Sequence, residues 1–389
     1  MNAVARRWFV VIALIGSARV DAGPLQLRAD ALATTASPAG LLTLEADGSP
    51  GRGLSAEAVV WMGSADDART DVLVMVLRAH TADGWASARV GRFVASLGAL
   101  RPVQIDGAAG RLRLPLLLDL EAMAGIPVEP GLMTARSWNW IAGGRLARRI
   151  GDGGSIGVAY TQRRDDARLA SEELGVDAGL ALGRRDDVGA KLAYDLANPG
   201  IAEIALTASH RSKALRTELY GGYRSASHLL PATSLFTVLG DVPAERAGAV
   251  ATWRAAPRLD VIADVGARRV DRDIAPAMVL RARLRLDDGG ASAVTGELRR
   301  DGVGDDMWTG ARCAARIALP RSLAITTEVE LVRPDLDRGR GTLWPWALAA
   351  LGWDDGTWQA ALAVEASASP EDRRRVDVLG QLGRRWGAR

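Results

Sequence analysis

Residues 307–332 read MWTGARCAARIALPRSLAITTEVELV, and apolar and polar positions alternate through them. Met307, Thr309, Ala311, Cys313, Ala315, Ile317 and Leu319 share one face, while Trp308, Gly310, Arg312, Ala314, Arg316 and Ala318 share the other. After Pro320-Arg321, Leu323, Ile325, Thr327, Val329 and Leu331 oppose Ser322, Thr326, Glu328 and Glu330. A period of two marks strand, because successive side chains point to opposite sides of the pleat. Both runs exceed the about five or six residues of an ordinary globular strand. The stretch predicts a long hairpin with one apolar and one charged face.

The same pattern recurs from about Ser137 to the C-terminus. Short gaps fall at 151–154, 184–187, 212–214, 255–257, 287–290, 320–321 and 354–356. Longer, more polar gaps fall near 165–172, 225–244, 270–275, 301–306, 334–341 and 368–373, with 198–200 a short exception. Tight turns on one side and long loops on the other are the pattern of a membrane barrel. The fold class expected is all-β: a transmembrane antiparallel up-and-down β-barrel of about 18 strands, in a range of roughly 16 to 22. Upstream, the runs 54–62, 71–81, 85–94, 110–114 and 116–125 continue the theme, and 25–33 and 40–46 read as first strands or as a lumenal plug. A soluble antiparallel sheet with one wet face alternates in the same way. The strand lengths and the turn asymmetry favour the membrane barrel.

The N-terminus suits that destination. Arg6 and Arg7 precede an apolar stretch from Trp8 to Ala18, and Val20-Asp21-Ala22 offers a cleavage site. This reads as a signal peptide over 1–22, cleaved after about Ala22. It leaves an N-terminal segment over 23–53 and a barrel over 54–389. The stretch from Trp8 is too short for a span, which needs about 20 residues, and no later segment is long and apolar enough to cross as a helix. The single cysteine, Cys313, forms no intramolecular bridge. Removing Arg6, Arg7, Arg19 and Asp21 lowers the formal net charge from +3 to +1, which gives no argument for nucleic acid as a partner. Twelve tryptophans stand against 4 tyrosines and 3 phenylalanines. Trp85, Trp253, Trp353 and Trp358 border short turns, and Trp138, Trp140, Trp308, Trp344 and Trp346 lie near long-loop ends, as headgroup-level indoles would.

On the polar face, charges form neighbouring columns. Asp260, Asp264 and Arg268 come first, then Arg281, Arg283 and Arg285, then Glu297 and Arg299, then Arg312 and Arg316, then Glu328 and Glu330. A slip of one residue would turn each arginine into lipid, at about 2–4 kcal/mol near the midplane, so register is strongly specified. These residues are the pore-lining candidates. Their arginine stripe would favour anions, or the charges pair across strands and hold the wall together; similar numbers of both signs favour pairing. The apolar loop 225–244 either folds inward or meets a surface partner.

Catalysis finds little support. His210-Arg-Ser212 has the His-x-Ser spacing of outer-membrane phospholipases, but Lys213-Ala214 follows where that family has Asn-Gly, and the turn lies on the periplasmic side. Three scattered histidines and one cysteine supply no metal-ligand spacing. The glycine-rich stretches Gly151–Gly154 and Asp287–Gly290 are hairpin turns by position rather than phosphate loops. No catalytic residue, metal or cofactor is expected.

The chain resembles a bacterial outer-membrane β-barrel of the large, porin-like kind. The resemblance rests on the signal peptide, the repeated hairpins and the C-terminal run. In that run Val376, Val378, Gly380, Leu382 and Trp386 alternate as in a last strand read by barrel-insertion machinery, although Gly387-Ala388-Arg389 follows the aromatic residue. A stretch over Arg89–Pro130, with Arg89-Val-Gly-Arg92, Gln104-Ile-Asp-Gly107 and Gly125-Ile-Pro-Val-Glu-Pro130, is similar in style to porin-like proteins. The resemblance implies an outer-membrane location in a Gram-negative cell, with outer-membrane lipid, the insertion machinery and small solutes as partners. The function it implies is a porin-like passive channel for small solutes or ions. A plugged structural or surface-display barrel is the alternative, and a barrel-embedded hydrolase is a third reading.

Overall fold

The structure, a computed structural model, describes residues 25–34, 39–51, 53–64, 68–128, 139–151, 153–225, 244–270, 272–336, 343–368 and 374–386. The strands are β1 (Leu25–Thr34), β2 (Ala39–Gly51), β3 (Leu54–Ser64), β4 (Ala68–His80), β5 (Ala86–Ala95), β6 (Val103–Leu114), β7 (Leu118–Pro127) and β8 (Trp140–Ile150). Then come β9 (Gly154–Asp165), β10 (Arg168–Leu182), β11 (Asp186–Asp195), β12 (Gly200–Arg211), β13 (Leu215–Arg224), β14 (Ala244–Ala256) and β15 (Leu259–Val270). Last are β16 (Asp273–Arg285), β17 (Ala293–Asp301), β18 (Trp308–Leu319), β19 (Leu323–Pro334), β20 (Trp344–Asp354), β21 (Trp358–Ser367) and β22 (Arg375–Trp386). Each pairs antiparallel with the next. β1 also pairs with β22, from Leu27 opposite Trp386 to Thr34 opposite Leu379, which closes one 22-stranded sheet. Closure satisfies every strand edge inside the sheet, the condition for spanning lipid with strands.

The count stands at the top of the expected range rather than near 18. Residues 25–34 and 39–51 pair with each other along their length and act as strands, not filler. The gap at 165–172 is not a long loop: Asp166 and Ala167 alone turn the chain, both with positive φ, and β10 starts at once. Between β15 and β16 the connection is also only two residues long. The asymmetry of the rims is therefore weaker than the sequence suggests. Most of the loop 225–244 lies outside the described residues.

Alternation fixes the two faces. On β10, Leu174, Val176, Leu180 and Leu182 are exposed on one side, while Glu173, Gly175 and Asp177 lie on the other. The exposed apolar side is the outer wall. Trp253 and Trp353 stand on it beside short turns, and Arg384 is sandwiched between Trp358 and Trp386 at 4.7 and 4.8 Å. At the opposite rim Trp140 is exposed on the outer wall, but Trp308, Trp344 and Trp346 have inward parity, and Trp346 donates to Glu365 at 2.7 Å. They do not form an outer belt there, since each shares a face with its strand's polar positions. Trp138 lies outside the described residues.

A charged cluster within the strands also breaks the apolar rule of the outer wall. Arg92 shares a face with Val90 and Val94, yet its guanidinium binds Asp106 through two bonds of 2.7 Å. It also donates to Asp71 and to the Val72 carbonyl, each at 3.0 Å. A bulge in the β3–β4 pairing, after Val59, brings Asp71 and Val72 within reach.

Candidate functional site

The connection between β5 and β6, Ser96-Leu-Gly-Ala-Leu-Arg-Pro102, sits on the rim of long connections but folds into the barrel. Leu97, Ala99 and Leu100 are buried, with Phe93 and Ala95 on β5 and Ile105 on β6. Leu100 N–H donates to Leu97 O at 3.0 Å, closing a tight turn in which Gly98 takes φ of 54°. Side chains of this turn reach the inner wall five strands away. The Arg101 guanidinium donates to Glu173 on β10 at 3.1 Å.

The wall opposite is made of small residues that leave room for the turn. A Cβ built on Gly175 would stand 2.8 Å from Leu100, and one on Gly143 would stand 3.0 Å from Leu97. Ala159 and Ala193 are buried in the same cluster. Beneath lies an ion triad: Arg145 on β8 donates to Glu121 on β7 at 2.9 Å and to Asp177 on β10 at 3.0 and 2.5 Å. Gly157 on the intervening β9 carries no side chain to block that reach. The guanidinium is largely buried, so each of its partners matters more than a surface pair would.

On the side of the turn toward the rim of short connections, the wall and the turn enclose a recess of 350 Å³. Arg78, Ser87, Arg89, Arg111 and the single carboxylate Glu121 line it, together with Leu97 and Met123.

The sequence-derived candidates stand on the inner face, but most of their charges meet each other. Arg281 and Arg299 both pair with the buried Glu297, and Arg299 also reaches Glu330 at 2.5 Å. Arg312 binds Glu328 at 2.6 Å, Arg285 binds Asp260 at 3.3 Å and Arg268 approaches Asp301 at 3.5 Å. Asp264 accepts from Tyr220 Oη at 2.9 Å. Arg283 and Arg316 are exposed. His210 Nδ1 lies 2.6 Å from Asp186, while Ser212 Oγ donates to the Leu215 carbonyl, so no base–nucleophile pair is assembled there. Cys313 is exposed on the outer wall.

Sequence reading missed the inward turn. Its signal was an apolar heptad, with two leucines and no carboxylate, in a connection on the rim where water-facing loops are expected. The geometry of this barrel has clear parallels. The chain aligns with the translocation pore of the P pilus usher PapC (TM-score 0.54, 8% identity, 94% of this chain and 99% of that one). It aligns also with the siderophore receptor PirA from Pseudomonas aeruginosa (0.57, 9%, 95% and 81%). A third match is the FrpB iron transporter from Neisseria meningitidis (0.59, 9%, 94% and 82%). The fold is that of the large outer-membrane β-barrels. At these identities the likeness is one of barrel architecture alone. No protein-family model and no curated protein matches the sequence.

Proposed function

We propose that this outer-membrane barrel is a passive channel for small solutes or ions, narrowed on one side by the Ser96–Pro102 turn. The observation that carries the reading is the turn itself, anchored to β10 through Arg101 and Glu173. A segment pinned across half a dozen strands reduces a lumen without sealing it by a separate domain. A 22-stranded wall is wide enough that transporters of this size carry a plug, and a partial constriction suits selective passage. The barrels with similar architecture are named a translocation pore, a siderophore receptor and an iron transporter, which supports transport over catalysis. Residues 1–22 would act as a signal peptide cleaved after Ala22 and direct the chain to the outer membrane of a Gram-negative cell.

The test is conductance of the folded protein in a planar bilayer. The wild type is expected to give discrete steps, and the double variant Leu97→Asp/Leu100→Asp larger ones, because burying two carboxylates drives the turn off the wall. Insertion without any conductance, in wild type and variant alike, would replace the channel by the plugged scaffold.

A further inference from the structure

The recess under the inward turn holds more guanidinium than its own lining carboxylate compensates. Arg78 on β4 and Arg89 on β5 are direct partners across the strand pair, an arrangement of like charges that destabilises a sheet by itself. Arg78 is ion-paired to Glu57. Arg89 stacks on Phe93 with its guanidinium carbon 4.4 Å from the ring centroid; among the described residues it makes no ion pair or hydrogen bond, and Glu121 attracts it only through space. The other carboxylates nearby are engaged. Asp119, almost fully buried, takes both Arg111 at 3.0 Å and Arg149 at 3.6 Å, and Glu121 takes Arg145 at 2.9 Å. Three arginines, Arg78, Arg89 and Arg111, line the recess against the single carboxylate of Glu121, which is itself bonded to Arg145, so the lining is positive on balance.

We propose that this recess binds small oxyanions, carboxylate or phosphate groups on permeating solutes, with Arg89 as the residue that takes the ligand. Stacking on Phe93 fixes the guanidinium plane and leaves its N–H fork available for two parallel bonds to an oxyanion. The Ser87 hydroxyl and the His80 ring line the same recess and offer further donors. The arginine stripe on β16 is a weaker candidate, because Arg281 and Arg285 are already paired. The inference deepens the channel reading: it assigns the class of solute and puts its site at the constriction.

The experiment uses the full-length folded protein with inorganic phosphate as the probe. Line broadening of the phosphorus resonance reports binding, and reversal potential in a salt gradient reports ion preference. Wild type is expected to broaden phosphate and prefer anions. Arg89→Gln is expected to weaken binding about tenfold, the loss of one charge-assisted contact, while Lys213→Gln on a short turn leaves it unchanged. Arg89→Lys, which keeps the charge without the fork, should fall between and guards against a folding defect in the glutamine variant. Equal binding in wild type and Arg89→Gln overturns the proposal, as does conductance without anion preference or phosphate binding, which leaves the channel reading standing. Arg89-dependent binding in a barrel that never conducts supports the site and removes the channel.

Discussion

The Arg145 guanidinium fills the space that a side chain at Gly157 would need: a Cβ built on Gly157 falls 2.8 Å from both Nε and Nη2. A guanidinium is ordinarily free to swing aside, but this one is held by Glu121 and Asp177 together. Gly157→Val should therefore lower stability by about 1–3 kcal/mol through overpacking. It should also loosen the seat of the inward turn. Denaturant-dependent loss of the heat-modifiable band measures the first effect and single-channel conductance the second. Unchanged values of both would show that the turn does not rest on the triad.

The outer-wall pair offers a double-mutant cycle. Arg92→Leu alone leaves Asp106 and Asp71 facing lipid, and Asp106→Leu alone leaves a partly compensated arginine. Each single change should cost about 2–4 kcal/mol. Replacing both should cost clearly less than the two combined, because two opposite charges leave the apolar wall together and only Asp71 stays behind. Additive losses in refolding experiments would mean that the pair is not coupled.

At the β6–β7 turn, Leu116 and Leu117 both take positive φ, 63° and 61°. Two-residue turns of this kind prefer Asn-Gly, and left-handed backbone costs an ordinary residue about 1–2 kcal/mol. Leu116→Asn with Leu117→Gly is expected to raise the unfolding midpoint. A fall would indicate that the two leucines are held there by contact with lipid or a partner.

Asp287 begins the β16–β17 turn and is held below the ordinary carboxylate range, first by the Ser292 side chain and then by backbone N–H groups of residues 290–292. A depressed folded-state pKa adds stability that is complete above the unfolded value, about 3.9. That stability is lost as pH falls through the lower folded value. The stability gap between wild type and Asp287→Asn should be constant at neutral pH and close in acid. A gap that widened in acid would contradict the assignment.

The faces of the strands were legible in the sequence, and their contacts were not. Alternation on β16, β18 and β19 is strict enough to separate Arg281 from Leu280 without any structure. Similar numbers of both signs favour pairing over a free arginine stripe, but the partners themselves depend on register: Arg281 lies opposite Glu297, and Glu297 in turn opposite Arg312. Arg89 looked ordinary for the same reason, since only the pairing places it against Arg78. The β9–β10 turn was hidden by the polar residues on both sides of it, and Ala167 gives no hint of a left-handed backbone. The inward turn was the least readable feature. Its docking partners Gly143 and Gly175 are 46 and 78 residues beyond Leu97 in the chain, and glycine on a strand has several meanings.

The seam between β1 and β22 makes the first and last described strands neighbours, with Leu27 beside Trp386 at one rim. A linker across that rim, with new ends cut at a short turn such as Pro320–Ser322, would yield a circular permutant with the same ring of strands. In the natural order, the ring cannot shut until its last segment has been delivered. Chains shortened before Arg375 would therefore leave two unpaired edges, and they are expected to be degraded rather than to insert as smaller rings.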